Sequence, residues 1–393
     1  MRRWLLPEAI EDVLPGEAAR VEALRRTLLD LFRAHGYRLV TPPLVEHLDS
    51  LLTGTGRDLD LQTFKMVDPL SGRMLGLRAD TTPQVARIDA HLLNETGVTR
   101  LCYAGSVLRT FAAAPGATRE VMQIGGELYG YGGIAADREV MQLLLSALTR
   151  AGLAGLHLDL GHVGVYRALA GAAGLDATGE GSDSELFGAL RDKDIVGVRE
   201  LTESLPQVPR DALRALSALY GPADATIAAA RQLLPSLPEV AQALDAVASL
   251  AAVATGVAAI HVDLADLRGY HYYTGATFSV FATDAAGAAV DCGRGGRYDG
   301  VGRAFGRARP ATGFTLDLRQ LAVLVGDART DDAIVAPDDP DPRLAQTVAA
   351  LRHQGESVVV ALPNEVPSTR AARRTLQHDG DQWRIVTRDD SDS

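Results

Sequence analysis

The stretch Met122-Gln123-Ile124-Gly125-Gly126-Glu127 sets an amide and a carboxylate four positions apart within a run of strand-forming residues. Extended backbone alternates its side chains between two faces, so Gln123, Gly125 and Glu127 share one face. Gly125 leaves space above the sheet between the two polar groups. An amide and a carboxylate around a cleared patch suit an ammonium or imidazole guest, although a solvated strand face would show the same residues. On either reading, Val121 to Leu128 is a strand.

The flanking sequence mixes strands with helices. Between Glu17 and His35 the apolar residues Val21, Leu24, Leu28, Leu31 and Phe32 lay one stripe along a helix, and Gly36 stops it. Tyr37 to Val40 reads as a short strand halted by Thr41-Pro42-Pro43, where two donors are lost. Thr63 to Val67 and Met74 to Arg78 read as a hairpin, and Thr82 to Asn94 as a helix. Leu101 to Leu108 and Val121 to Leu128 flank the loop Ala112 to Ala117. Asp137 to Ala151 is an amphipathic helix leading to the strand Leu156 to Leu160.

From about 165 to 255 alanine and leucine dominate, with helical periodicity in Val198 to Leu205, Asp211 to Tyr220 and Asp224 to Leu234. This reads as a helical insertion. Strand character returns at Ala258 to Val262, Ala276 to Phe281 and Ala288 to Cys292. Beyond Val325 an acidic, proline-bearing link (Asp327 to Asp332, Pro337 to Pro342) is interleaved with a small α/β piece. That piece comprises strand Ala333 to Ala336, helix Arg343 to Gln354, strand Ser357 to Ala361 and a last strand near Trp383 to Val386. Asp389 to Ser393 reads as a disordered tail. The expected fold is therefore α+β, with one domain over 1–325 and a short C-terminal segment over 326–393.

A net charge of −11 and a pI near 5.3 argue against a nucleic-acid binder, because phosphates demand a basic footprint. Two cysteines, Cys102 and Cys292, cannot make a paired CxxC zinc site and read as reduced, buried thiols. The N-terminus turns acidic at Glu8 before any apolar core of signal-peptide length. The longest nearly apolar run, Ala246 to Ile260, is short of the roughly 20 residues a membrane span needs. A soluble, cytoplasmic protein without membrane attachment is expected.

Three further clusters carry chemistry. In Leu77-Arg78-Ala79-Asp80-Thr81-Thr82-Pro83 a carboxylate and a helix N-terminus share one cleft, unless Asp80 or Thr81 merely caps the helix. Arg268-Gly269-Tyr270-His271-Tyr272-Tyr273-Thr274-Gly275 offers a guanidinium for a carboxylate and an aromatic wall. If it is extended, Tyr272 and Tyr273 point to opposite faces, and tyrosines packed in a sheet core beside a surface arginine fit equally well. Gly293-Arg294-Gly295-Gly296-Arg297-Tyr298-Asp299-Gly300 lacks the P-loop pattern; it is a strand passing close beneath a ligand or a plain turn. His157 and His162 flank an alternating strand, and no metal-ligand set assembles around them in the sequence.

Taken together and in order, these segments resemble the catalytic core of histidyl-tRNA synthetase, a class II aminoacyl-tRNA synthetase, from Leu5 to about Val325. Thr41-Pro42-Pro43-Leu44-Val45-Glu46 resembles motif 1, and Leu108-Arg109-Thr110-Phe111 through Glu127 resembles motif 2. Arg268 to Tyr273 and Gly295 to Gly300 resemble two segments peculiar to the histidine-specific enzymes. The resemblance implies an antiparallel sheet flanked by helices. It also implies histidine held by Asp80, Thr82, Gln123, Glu127, Arg268, Tyr272 and Tyr273, with Asp80 replacing the family's glutamate.

The nucleotide side departs from the family. Arg109 stays, but Phe111 stands at the glutamate that reads adenine, and Gln320 stands at the arginine of motif 3, with Arg319 one residue early and facing elsewhere. Ala112, Ala113 and Ala114 replace an arginine-bearing stretch. Two lost charged contacts, each worth roughly 1.5–3 kcal/mol, would cost several powers of ten in nucleotide affinity or rate. The C-terminal piece is shorter than an anticodon-binding domain.

The resemblance that accommodates both losses is to the regulatory subunits of ATP phosphoribosyltransferase. It implies no catalytic residue, no cofactor, no metal and no tRNA. It further implies a homodimer within a hetero-octamer with the short-form catalytic subunit, acting in histidine biosynthesis with feedback inhibition by histidine. A divergent histidyl-tRNA synthetase and a histidine-binding module for another partner are the competing readings.

Overall fold

The computed structural model describes residues 5–54, 57–114, 117–175, 184–326, 333–363 and 374–387. The two basic residues at the N-terminus, Pro115 and Gly116 of the loop, the acidic link Asp327 to Asp332 and the C-terminal tail lie outside the described residues. The chain divides into two compact units, Met1–Val325 and Gly326–Ser393. Among the described residues no helix is long and apolar enough to cross a membrane.

The first unit opens with the helix Pro15–Ala34, which has proline in its first turn and Glu17 against the helix dipole. Its stripe Val21, Leu24, Leu28 and Phe32 is buried. Gly36, at φ +81°, ends it in a conformation that disfavours side chains. The chain then lays down β1 (Arg38–Leu39), β2 (Val45–His47), β3 (Phe64–Val67), β4 (Met74–Leu77), β5 (Thr99–Leu108), β6 (Glu120–Tyr129), β7 (Leu156–His162), β8 (Tyr220–Pro222), β9 (Ala258–Asp263), β10 (Ala276–Thr283), β11 (Ala289–Arg297) and β12 (Ala311–Asp317).

Nine of these form one sheet in the order β1-β5-β6-β12-β11-β10-β7-β9-β8, and β2-β4-β3 form a small antiparallel sheet. The large sheet is antiparallel from β5 to β7. It is thus mainly antiparallel, as the resemblance implies, with two parallel pairings toward its edges. β1 joins β5 in parallel and β9 joins β7 in parallel, because a helix or helices separate each pair in the chain.

One face of the sheet is apolar. Ile124 and Leu128 of β6, Phe314 and Leu316 of β12, and Leu158 and Leu160 of β7 pack with the helices Pro15–Ala34, Ile134–Arg150, Pro238–Ala254 and Leu318–Val325. Phe32 meets Phe314 edge to face at 5.6 Å, which pins the first helix to β12. Truncating a buried Phe costs about 3–5 kcal/mol, so Phe32→Ala is the single change most damaging to this contact. The opposite face carries Gln123, Gly125 and Glu127 of β6 beside Gly313, Thr315 and Asp317 of β12, which are their register partners.

Of four local expectations, two change, one open choice closes and one holds. The insertion is helical, but Tyr220 leaves its helix at Leu216 and enters β8, extending the sheet edge through β9. Gly293 to Arg297 is strand rather than turn, hydrogen-bonded to β10 and β12. The helix after Asp80 is α-helical over Thr82–Arg87 and becomes a π-helix over Ile88–Leu93, ending at Asn94 with φ +46°. Cys102 and Cys292 are buried free thiols, pushed by burial up to about 11 and about 12.

The second unit contains β13 (Ile334–Ala336), the helix Pro342–His353, β14 (Val358–Val360), β15 (Arg374–Asp379) and β16 (Gln382–Thr387). Its sheet runs β14-β13-β15-β16 over a small core of Ile334, Ala336, Leu344, Val348, Val358 and Leu376. Asp341 caps the helix through the Arg343 amide at 2.9 Å and also accepts from the Trp383 indole at 3.1 Å. β15 is the strand the sequence pattern missed.

Candidate functional site

The polar face of β6 is closed over by the turn that precedes the helix Thr82–Arg87. Arg78 holds that turn to the sheet. Its buried guanidinium donates to the Ser106 carbonyl at 2.8 Å and the Pro42 carbonyl at 2.9 Å. Burial lowers its pKa.

From this base, Gln123 Oε1 accepts from the Thr81 amide at 3.0 Å and the Thr81 hydroxyl at 2.9 Å, and Gln123 Nε2 donates to Asp80 at 3.0 Å. Asp80 also accepts from the Thr81 amide at 2.8 Å. Thr81 makes no side-chain bond to the helix it precedes, so the capping alternative fails. Its hydroxyl is directed at Gln123 instead.

Further along the same face of β6, Glu127 takes the Thr82 hydroxyl at 3.2 Å and a close hydrogen bond from Tyr298. Gln123 and Glu127 keep only 2% and 1% of their surface exposed, which removes the solvated-face reading. Burial pushes the Glu127 carboxyl up to about 8, against the pull of the Tyr298 and Thr82 hydroxyls. A carboxyl so placed is largely protonated at neutral pH and is turned anionic by a cationic neighbour.

The space above Gly125 is filled. A Cβ there would run into the Phe314 carbonyl and the Tyr103 hydroxyl, so the phenol of Tyr103 occupies the patch the glycine clears. Tyr103 in turn bonds Thr82 at 3.3 Å. Gly313 matters more. A Cβ at that position would overlap Glu127 Oε2, so the carboxylate rests on bare backbone.

The tyrosine segment is a turn, not a strand. Tyr272 and Tyr273 both return their amides to the Gly269 carbonyl, at 2.9 and 2.8 Å, and Gly269 has φ +70°. Their rings therefore sit side by side, 5.2 Å apart, instead of on opposite faces. Tyr272 stacks on Tyr298 at 4.9 Å, which brings it against the ring that bonds Glu127. The Tyr272 hydroxyl is buried and has no partner among the described residues.

Arg268 stands outside this network. It is exposed, and Asp266 clamps it through two contacts of 2.8 and 2.7 Å. The pairing raises its pKa. A carboxylate guest would have to compete with Asp266.

Three residues that hold the site were not among the expected site residues. Arg167 donates to the Tyr270 carbonyl at 2.9 Å and the Tyr273 carbonyl at 2.8 Å, fixing the tyrosine turn from a helix about a hundred positions away. Arg297 pairs with Asp137 at 3.0 Å and Asp299 at 3.1 Å, which frames Tyr298. Tyr298 itself was visible only as one letter of the glycine-rich segment.

On the side that the resemblance assigns to the nucleotide, Arg109 touches the turn before Asp80 and Arg319 is drawn to the scaffold. Arg109 Nε makes a long 3.4 Å contact to the Ala79 carbonyl. Phe111 is exposed. Gln320 gives its backbone amide to Asp317 at 3.4 Å. Arg319 is held by Glu11 at 2.8 Å and Glu17 at 3.1 Å, so it supplies no cation at the Gln320 position.

The histidyl-tRNA synthetase family profile matches residues 9–321 of the chain. The profile of the C-terminal domain of the ATP phosphoribosyltransferase subunit HisZ matches residues 331–386. The ATP phosphoribosyltransferase regulatory subunit of Ralstonia nicotianae is 53% identical over 390 residues, covering 99% of both chains. The chain belongs to the histidyl-tRNA synthetase-like regulatory subunits of ATP phosphoribosyltransferase.

The regulatory subunit of Burkholderia lata is likewise 53% identical, over 99% of this chain and 100% of its own. A solved structure from Bacillus halodurans, described as an ATP phosphoribosyltransferase regulatory subunit/histidyl-tRNA synthetase, matches with a TM-score of 0.79 at 28% identity. It covers 94% of this chain and 96% of that one. The short second unit thus matches a domain described for these regulatory subunits.

Proposed function

We propose that this chain is the non-catalytic regulatory subunit that the short-form ATP phosphoribosyltransferase requires in the first step of histidine biosynthesis. We infer further that histidine binds over Glu127, Gln123, Asp80 and Thr82, with Tyr272 and Tyr273 as the aromatic wall and Arg268 as the carboxylate partner once Asp266 releases it. The observation that carries this reading is the buried Glu127 network, set against a motif 3 segment that has Gln320 for an arginine and whose Arg319 is bound to Glu11 and Glu17. The first can recognise an imidazole or ammonium; the second does not grip a triphosphate.

The chemistry asks for no bond making. An incoming cationic or N–H-donating group displaces the proton of Glu127 and takes the acceptor that Tyr298 now uses. Regulation then requires only that histidine bind two assembly states with different affinity, since a ligand shifts an equilibrium by no more than that difference. The assembly we propose is a homodimer within a hetero-octamer in the cytoplasm, without tRNA.

Reconstitution tests this directly. Adding the full chain to the short catalytic subunit should restore phosphoribosyl transfer, and histidine should suppress it. ATP-dependent pyrophosphate exchange with histidine should stay at background. Robust exchange would instead establish a divergent histidyl-tRNA synthetase, and no restored transfer would leave a histidine-binding module for some other partner.

A further inference from the structure

The sequence places His157 and Asp159 two residues apart on β7 and gives them no third partner. The fold supplies one. β9 pairs with β7 in parallel, in a register that sets His261 opposite Asp159. Residues two apart on a strand share a face, so His157, Asp159 and His261 converge on one half-buried patch. This is the polar side of the large sheet, since Asp159 is aligned through β10 and β11 with Thr315 of β12.

One ligand atom from each residue lies within 4.8 Å of both others. His157 Nε2 and Asp159 Oδ1 are 3.2 Å apart. Two ligands on a tetrahedral zinc ion, each about 2.0–2.1 Å away, stand about 3.4 Å from each other. That pair is therefore already at metal-chelating separation, and His261 offers the third ligand atom of the group.

The competing demands on these groups are few. Among the described residues no hydrogen bond engages either ring nitrogen of His261, whose ring meets His157 edge to face at 4.3 Å. The neighbouring carboxylate Asp263 is committed to Lys193 at 2.6 Å and is not available as a ligand. The hydrogen bonds of the Arg268 guanidinium go to Asp266 and not to this cluster.

We propose that His157, Asp159 and His261 bind one divalent transition-metal ion of the zinc class, with the remaining coordination position open to solvent. Two imidazoles and one carboxylate select zinc, cobalt, nickel or copper over magnesium or calcium, which prefer all-oxygen shells. Strand-borne ligands are held more accurately than loop-borne ones, which favours a defined geometry over casual surface binding.

The test uses the full-length chain, stripped with a chelator and free of any affinity tag. Calorimetric titration with zinc chloride should give one ion per chain, and cobalt should give the visible d–d absorption of a nitrogen–oxygen set. Asp159→Asn and His261→Ala should each weaken zinc binding at least about tenfold. Zinc should raise the melting temperature of the native chain but not of these variants. Asp159→Asn is nearly isosteric, so it remains informative if His261→Ala folds poorly. Binding well below one equivalent, or unchanged zinc affinity in Asp159→Asn, overturns the proposal and leaves an ordinary histidine–aspartate pair with a ring contact.

Discussion

Gln123 and Glu127 lie on the same sheet face as Asp317, yet the two neighbouring strands of that face are organised by different rules. Around β6 each polar group is answered within the site: Gln123 by Thr81 and Asp80, Glu127 by Thr82 and Tyr298. Around the start of the helix Leu318–Val325 the groups answer to other parts of the fold. Asp317 caps that helix through the Arg319 amide at 3.0 Å, and the Arg319 side chain braces the first helix through Glu17. The proposed ligand site lies where its members support one another. Where a charge holds the scaffold, as Arg319 does, it is not free to meet a ligand. Stability and recognition thus part company within a single sheet.

The sharpest way to break this contrast is through the proton on Glu127. Its folded pKa, about 8, lies above the 4.5 of an unperturbed glutamate, so the native state holds a proton that the unfolded chain releases. The carboxyl therefore costs nothing below about pH 4.5, and native stability falls as pH rises from there to about 8. The slope is at most about 1.4 kcal/mol per pH unit, amounting to a few kcal/mol over the window. Glu127→Gln should abolish that slope in denaturant titrations run across the window. Parallel pH profiles for the two proteins would mean that Glu127 is already ionised in the native chain. For the same reason, histidine binding near neutral pH should release protons, seen as a binding enthalpy that depends on the buffer.

Next in size is the ligand itself. Glu127→Ala should lower histidine affinity by about ten- to hundredfold, since a hydrogen bond to a charged group contributes about 1.5–3 kcal/mol. The oligomeric state should be unchanged in light scattering. Unaltered calorimetric affinity would take Glu127 out of the site. Gly313→Ala approaches the same carboxylate from below. Because the added Cβ overlaps Glu127 Oε2, it should cost about 1–3 kcal/mol of stability and weaken histidine binding together. Loss of stability with histidine binding intact would show that the carboxylate can rest elsewhere.

How much of this was legible beforehand follows from the range of each interaction. The stripe Val21, Leu24, Leu28 and Phe32 repeats within one helix, and the face shared by Gln123 and Glu127 repeats within one strand, so both could be read from spacing. β15 could not. Arg374 to Asp379 buries only Leu376, which leaves no alternation to detect. The opposite-faces reading of the tyrosine segment held only for extended chain, whereas Gly269 bends it into a turn. Tyr103 above Gly125, Arg167 behind Tyr273 and His261 beside Asp159 each depend on pairings between distant segments. No local periodicity encodes those, and only the parallel addition of β9 to β7 brings His261 into place.

The smallest expected effect concerns repair of the nucleotide side. Phe111 is exposed and Gln320 is half-buried, so Phe111→Glu with Gln320→Arg can be introduced without disturbing a packed core. If charge alone were missing, the pair should return about 1.5–3 kcal/mol per contact, or several powers of ten in ATP affinity. We expect a gain of no more than about tenfold. The guanidinium brought in by Gln320→Arg would sit at the start of a helix whose capping carboxylate, Asp317, and neighbouring Arg319 are already engaged with the scaffold. The carboxylate brought in by Phe111→Glu would stand in solvent and lose entropy on being positioned from a loop. Equilibrium dialysis with labelled ATP reads the difference. A hundredfold gain would show that the nucleotide side is an intact seat lacking two side chains, and that the scaffold duties of Arg319 and Asp317 are incidental to its silence.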